Sequence, residues 1–121
     1  METYQFEKLK AWQKAKELAI AVYRLLSKFP LYEQYALTSQ VRRAAISIPS
    51  NIAEGTGRVS VKEKIHFLEI SYSSLLETYC QLQIAVELSY ISNDDLEAIK
   101  PLFFETSCLI SGLRKSYNSK L

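Results

Sequence analysis

Three glycines and three prolines in 121 residues leave little material for turns. That scarcity argues against a fold of many short strands, which needs a turn every 8 to 12 residues or so. The elements must therefore be few and long. One histidine, His66, is all the chain holds. Glu63 stands three residues before it, but di-iron bundles need that Glu-x-x-His pair twice, so with a single histidine a triad or metal cluster has almost nothing to build on. There is no Gly-x-Gly-x-x-Gly run, no P-loop and no Cys-x-x-Cys pair. The two cysteines, Cys80 and Cys108, sit inside helical patterns and read as buried free thiols, compatible with a reducing cytoplasm. No stretch approaches the roughly 18 apolar residues that span a membrane. Glu2, Glu7 and Lys8 interrupt any leader-like apolar run near the N-terminus.

What is present is ordinary for one soluble domain, residues 1–121. Hydrophobic residues make up 48% and charged residues 23%, with a formal net charge of +2. A charge that small does not by itself imply a nucleic-acid partner. Its distribution is uneven, however. Lys8, Lys10, Lys14, Lys16, Arg24 and Lys28 outnumber the acids of residues 1–30, whereas residues 59–91 are net acidic.

Helical periodicity runs through the whole chain. Leu9, Trp12, Ala15, Ala19, Val22, Leu26 and Phe29 repeat at three and four, which predicts a first helix over 6–29 ended by Pro30. Leu37, Val41, Ala44, Ile48 and Ile52 predict a second helix over 36–56. Small residues between them (Ala45, Ser47, Ser50, Ala53) predict close approach by a neighbour. Pro49 is expected to bend this helix, with Ser47 and Asn51 supplying hydrogen bonds to the disturbed turn. Gly55 and Gly57 offer a left-handed C-cap.

Ser60 and Glu63 form a capping-box signature for a third helix reaching about residue 90. Its seam, Val61, Ile65, Leu68, Tyr72, Leu75, Tyr79, Leu82 and Val86, keeps a 3.5-residue period. A second stripe, Leu76, Cys80, Ile84, Leu88 and Ile91, predicts that this helix is either central or meets another subunit. Ser92-Asn-Asp-Asp opens a fourth helix with acids at the positive end of its dipole. Its stripe is Leu96, Ile99, Leu102 or Phe103, Leu109 or Ile110, Leu113 and Tyr117. Pro101, about two turns in, is expected to bend it, Gly112 weakens its last turns slightly, and residues 116–121 are expected to fray. Four helices with short links predict an all-α, antiparallel up-down-up-down four-helix bundle.

No catalytic constellation emerges. Ser39, Ser47 and Ser73 have no general base in view. Glu69 and Glu77 share a side of the third helix, and their expected role is to pair with Arg42 or Arg43 across the bundle. An enzyme is not expected, and neither a cofactor nor a metal. The remaining chemistry is cationic. Arg42, Arg43 and Arg58, together with Lys8, Lys10, Lys14 and Lys16, are the candidate phosphate contacts, since a guanidinium offers phosphate two parallel hydrogen bonds. Tyr23, Tyr32 and Tyr35 are the candidate base-stacking rings. The competing reading makes each arginine a salt-bridge partner.

Phe6-x-x-Leu9-x-x-Trp12-x-x-Ala15, then Gln40-x-Arg42-Arg43-Ala44-x-x-Ser47-Ile48-Pro49-x-Asn51-Ile52-Ala53-Glu54-Gly55-x-Gly57-Arg58, resembles the 23S rRNA-intervening-sequence family of four-helix bundle proteins. Phe67-Leu68-Glu69-Ile70-Ser71-x-Ser73-Ser74-x-x-Glu77 extends the match over nearly the whole chain. Tyr72 departs from it, where relatives often carry a small residue. The resemblance implies a homopentameric ring. The family is also similar to the accessory protein of diversity-generating retroelements, which implies nucleic acid, RNA or DNA, and a reverse transcriptase as possible partners. The expectation is thus a cytoplasmic, non-enzymatic oligomer that binds RNA or other nucleic acid through a basic face. The alternative is a protein-interaction scaffold in which Arg43 and Glu54 hold the ring together.

Overall fold

The computed structural model describes residues 2–121. Four helices carry the fold: α1 (Lys10–Leu26), α2 (Leu37–Thr56), α3 (Val61–Glu87) and α4 (Asn93–Asn118). Short 3-10 turns at Gln5–Lys8 and Leu31–Glu33 precede α1 and α2. Among the described residues there is no strand.

Helix direction follows from side-chain partners. Ser71 Oγ donates to the Ile48 carbonyl at 2.7 Å, Ser74 Oγ meets Ser47 Oγ at 2.8 Å, and Lys64 Nζ donates to the Thr56 carbonyl at 3.0 Å. Numbers rise on α3 as they fall on α2, so the two are antiparallel. The same rule holds for α3 and α4 through Arg114–Glu69 and Tyr79–Phe103. It holds again for α1 and α4 through Lys28–Asp95 and Lys14–Glu105. Each helix packs on two neighbours, and α1 and α3 lie diagonally across the core.

The core combines the predicted stripes. Ala15, Val22, Val41, Ile48, Ile52, Leu68, Leu75 and Leu82 are buried in one cluster. Leu18 belongs to it as well; it is i+3 from Ala15 and i−4 from Val22, the same helical spacing, so its burial was readable. Of the two choices on α4, Phe103 and Ile110 are the buried members, with Leu102 and Leu109 half-buried beside them.

The α2–α3 seam is polar and close. Ser71, Ser74 and Thr78 recur at three and four along α3, face α2, and are buried. Their hydroxyls find carbonyl or hydroxyl partners (for Thr78, the Ser74 carbonyl at 2.8 Å), which removes the cost of burying them. Gly55 completes the approach. A Cβ built there would stand 3.0 Å from Phe67 Cβ and 3.4 Å from the Lys64 carbonyl. The glycine is needed for contact rather than for a left-handed cap. Gly57 has φ −84°, and no described glycine has positive φ. Ordinary turn hydrogen bonds end α2 instead, Gly57 N to Glu54 O at 3.1 Å and Arg58 N to Gly55 O at 3.2 Å.

Other boundaries shift. α1 starts at Lys10, not residue 6, because the chain turns at Leu9 in an extended conformation after the 3-10 segment. α3 stops at Glu87, where Ser89 takes φ 63° and Tyr90 N reaches back to the Ala85 carbonyl at 2.9 Å. α4 continues to Asn118 instead of fraying from Ser116. α2 is unbroken across Pro49, where Asn51 Nδ2 bonds the Ser47 carbonyl and hydroxyl at 2.8 and 2.7 Å. Both cysteines are exposed, contrary to the expected burial; Cys80 lies with Leu76, Ile84 and Leu88 on the outward part of the second stripe, of which only Ile91 is buried, and Cys108 lies on the outer side of α4.

Candidate nucleic-acid interface

The antiparallel arrangement gives the bundle two chemically different ends. One gathers the start of α1, the end of α2, the start of α3 and the end of α4. Lys8, Lys10, Arg58, Lys62, Lys115 and Lys120 are exposed there. Among the described residues none of these six has an ion-pair partner. The Arg58 guanidinium sits 4.6 Å above the Phe67 ring, and the Lys120 ammonium lies 5.7 Å from the Tyr117 ring. Burial raises the Tyr117 pKa, so its phenol stays neutral beside these cations.

The opposite end holds the α1–α2 and α3–α4 connections, and two of its acids, Asp95 and Glu33, are engaged, whereas Glu87 and Asp94 are exposed without an ion-pair partner. Lys28 Nζ meets Asp95 Oδ1 at 2.7 Å. That bond first, and the Ser92 backbone N–H second, hold the Asp95 carboxyl below its ordinary pKa of 3.8. Ser92 and Asp95 close a reciprocal capping box on α4. Tyr90 Oη donates to Glu33 Oε2 at 2.7 Å, while Glu33 Oε1 accepts from the Leu37 N–H at 3.2 Å. Bonds with Tyr32 and Glu33 retain the Tyr90 proton and raise its pKa.

The seven candidate cations therefore do not form one patch. Lys8, Lys10 and Arg58 share the basic end. Arg42 and Arg43 are exposed in the other half of α2, about 20 Å along its axis from its end at Thr56, at about 1.5 Å per residue. Lys14 is held by Glu17 at 3.3 Å and Glu105 at 3.6 Å, which raises its pKa through the hydrogen bond to Glu17 first. Lys16 lies 4.8 Å over the Trp12 ring.

The expected partnership of Glu69 or Glu77 with Arg42 or Arg43 is not formed. Glu69 pairs with Arg114 at 2.9 Å and Glu77 accepts from Gln81 at 3.2 Å. The proposed stacking rings are displaced too. Tyr32 and Tyr35 are exposed at the acid-rich end, far from Lys8 and Arg58. Tyr23 instead lines an apolar groove with Ile20, Ile46 and Pro49, edged by Lys16 and Arg24. In the segment 40–58, Pro49 and Gly55 are buried, Ser47 and Asn51 form the hydrogen-bonded turn, and Gln40, Glu54 and Gly57 are exposed. His66 is exposed beside Phe67. Among the described residues, no three His, Cys, Asp or Glu side chains converge as a metal site would require.

Two exposed apolar faces complete the surface. Leu76 and Ile84 of α3 and Leu88 just past its end lie outward with Phe104 of α4, each between 45% and 61% exposed. Glu77 and Glu87 flank that stripe on α3, and Glu105 lies beside Phe104 on α4. The α1–α2 groove around Ile20 and Ile46 carries the opposite charge on its rim. The second stripe of α3 is therefore not central to the monomer's packing.

These features define an all-α bundle with a cluster of exposed cations at one end that form no ion pair among the described residues. The chain belongs to the 23S rRNA-intervening sequence protein family, whose model matches residues 7–112. No curated protein matches it. It is similar to the crystal structure of a protein of unknown function from the S23 ribosomal protein family of Bacteroides thetaiotaomicron VPI-5482. The TM-score is 0.77 at 25% identity, over 87% of this chain and 98% of that one. Neither description names an enzymatic activity. No helix among the described residues is long and apolar enough to cross a membrane.

Proposed function

We propose that this protein is a non-enzymatic, self-associating bundle that binds RNA through its basic end. The observation that carries the reading is the set of exposed cations around Lys8, Lys10 and Arg58 that lack carboxylate partners. Unpaired surface cations are available to displace counterions from a phosphate backbone. The family description, which refers to an rRNA intervening sequence, supports RNA as the polyanion. Self-association is supported by the acid-flanked apolar face of α3 and the base-rimmed apolar groove of α1 and α2. Opposite signs around two apolar surfaces favour a head-to-tail contact, which closes into a ring when the rotation allows. A ring of five, implied by the family resemblance, would multiply the basic ends.

A scaffold without RNA binding is the second reading, favoured by the exposure of Leu76, Ile84, Leu88 and Phe104. Light scattering with and without a mixed RNA pool, at low and moderate salt, separates the two. A mass near five chains that rises with RNA and falls back with salt is the expected outcome. An oligomer indifferent to RNA selects the scaffold, and a monomer removes the ring.

A further inference from the structure

The segment before α1 carries an aromatic ladder. The Tyr4 and Phe6 rings lie 6.2 Å apart with planes 14° from parallel, and Phe6 meets Trp12 edge-on at 4.8 Å. The segment is tied down. Tyr4 N donates to Glu7 Oε2 at 2.8 Å, and Gln13 Nε2 donates to the Glu7 carbonyl at 2.8 Å. The Tyr4 ring is nonetheless 78% exposed, so it buries too little to contribute much to folding. A held ring with an open face, followed along the chain by the exposed ammonium groups of Lys8 and Lys10, supplies both parts of a single-strand site. Cations hold the phosphates, and an aromatic face stacks on a base. A duplex keeps its base faces stacked inside and offers the ring nothing comparable.

We infer that Tyr4 stacks on an unpaired base of single-stranded RNA while Lys8 and Lys10 hold the flanking phosphates. This rests on the RNA-binding reading above and narrows it to unpaired RNA. Tyr4 was not among the tyrosines expected from the sequence, because its ladder with Phe6 and Trp12 depends on the 3-10 turn that replaces the first turn of the predicted helix.

The test uses the whole protein, a short labelled oligouridylate and an RNA duplex of equal length. Tyr4→Leu is expected to weaken the single strand by about fivefold to a hundredfold, the range of base–aromatic stacking, with duplex affinity unchanged and Tyr4→Phe near wild type. Lys8→Glu with Lys10→Glu is expected to weaken both. If Tyr4→Leu leaves the single strand unchanged while the lysine reversals abolish binding, the stacking role is wrong and the RNA reading stands. Equal loss on both probes also overturns stacking. If the wild type binds neither RNA, both proposals fall. Unchanged thermal melting of Tyr4→Leu is the expected control, since the ring lies outside the core.

Discussion

The two ends of the bundle use their charges differently. At the connection end, two acids are tied to neighbours: Asp95 to Lys28 and the α4 cap, and Glu33 to Tyr90 and the start of α2. At the other end, helices close through contact, with Gly55 against Phe67, and six exposed cations form no ion pair, although Glu2, Glu54 and Glu63 are exposed there too. Charges engaged in holding loops have little left for a ligand. Charges left unpaired repel one another mildly and gain from a polyanion. A net charge of +2 conceals this division, because it averages the two ends.

The sharpest way to break the comparison is to exchange charge at each end. Reversing Lys8, Lys10 and Arg58 is expected to flatten the dependence of log K on log salt by about 0.7 for each lost single-strand phosphate contact. Reversing Arg42 and Arg43 is expected to change it by less, as they lie away from the cluster. Equal effects, measured by RNA titration at several salt concentrations, would erase the distinction.

Contact and capping can be tested by melting. Gly55→Val drives a branched side chain into Phe67 and is expected to cost about 1–3 kcal/mol by overpacking. Ser89→Gly acts at the other end. A non-glycine residue at φ 63° is strained, and its release is expected to gain about 0.5–1 kcal/mol. Both appear as opposite shifts of the denaturation midpoint.

Smaller effects come from the tied loops. Asp95 has a depressed folded-state pKa, so its contribution is present above the unfolded value near 3.8 and is lost as pH falls through the lower folded value. Thermal melts between neutral and strongly acid pH are expected to show less acid-induced loss in Asp95→Asn than in wild type. Tyr90→Phe removes the hydroxyl that links the two connections. It is expected to lower the melting temperature less than Gly55→Val does, and to raise amide exchange around residues 31–37 and 88–92.

Much of the fold was legible because helix periodicity survives without knowledge of neighbours. The stripes of α2 and of the α3 seam were read correctly, Ser60 caps α3 as its spacing with Glu63 suggested, and α4 opens with Asp94 and Asp95 in its first turn as expected. The candidate site was legible only as a set of residue types. Arg42 lies near the start of α2 and Arg58 just past its end, so the length of the helix separates them, and the carboxylates assigned to Arg42 and Arg43 went to Arg114 and Gln81. Cys80 followed the apolar stripe of α3, but that stripe faces outward because α2 and α4 already occupy the helix's other sides.

Local spacing, caps and the scarcity of glycine and proline determined four long helices and their apolar faces, since these depend on residues within a turn or two of one another. Tertiary structure alone decided which cations stand together and which acids are engaged. Those pairings join residues dozens of positions apart, and they depend on helix order, direction and axial offset, which no local pattern encodes.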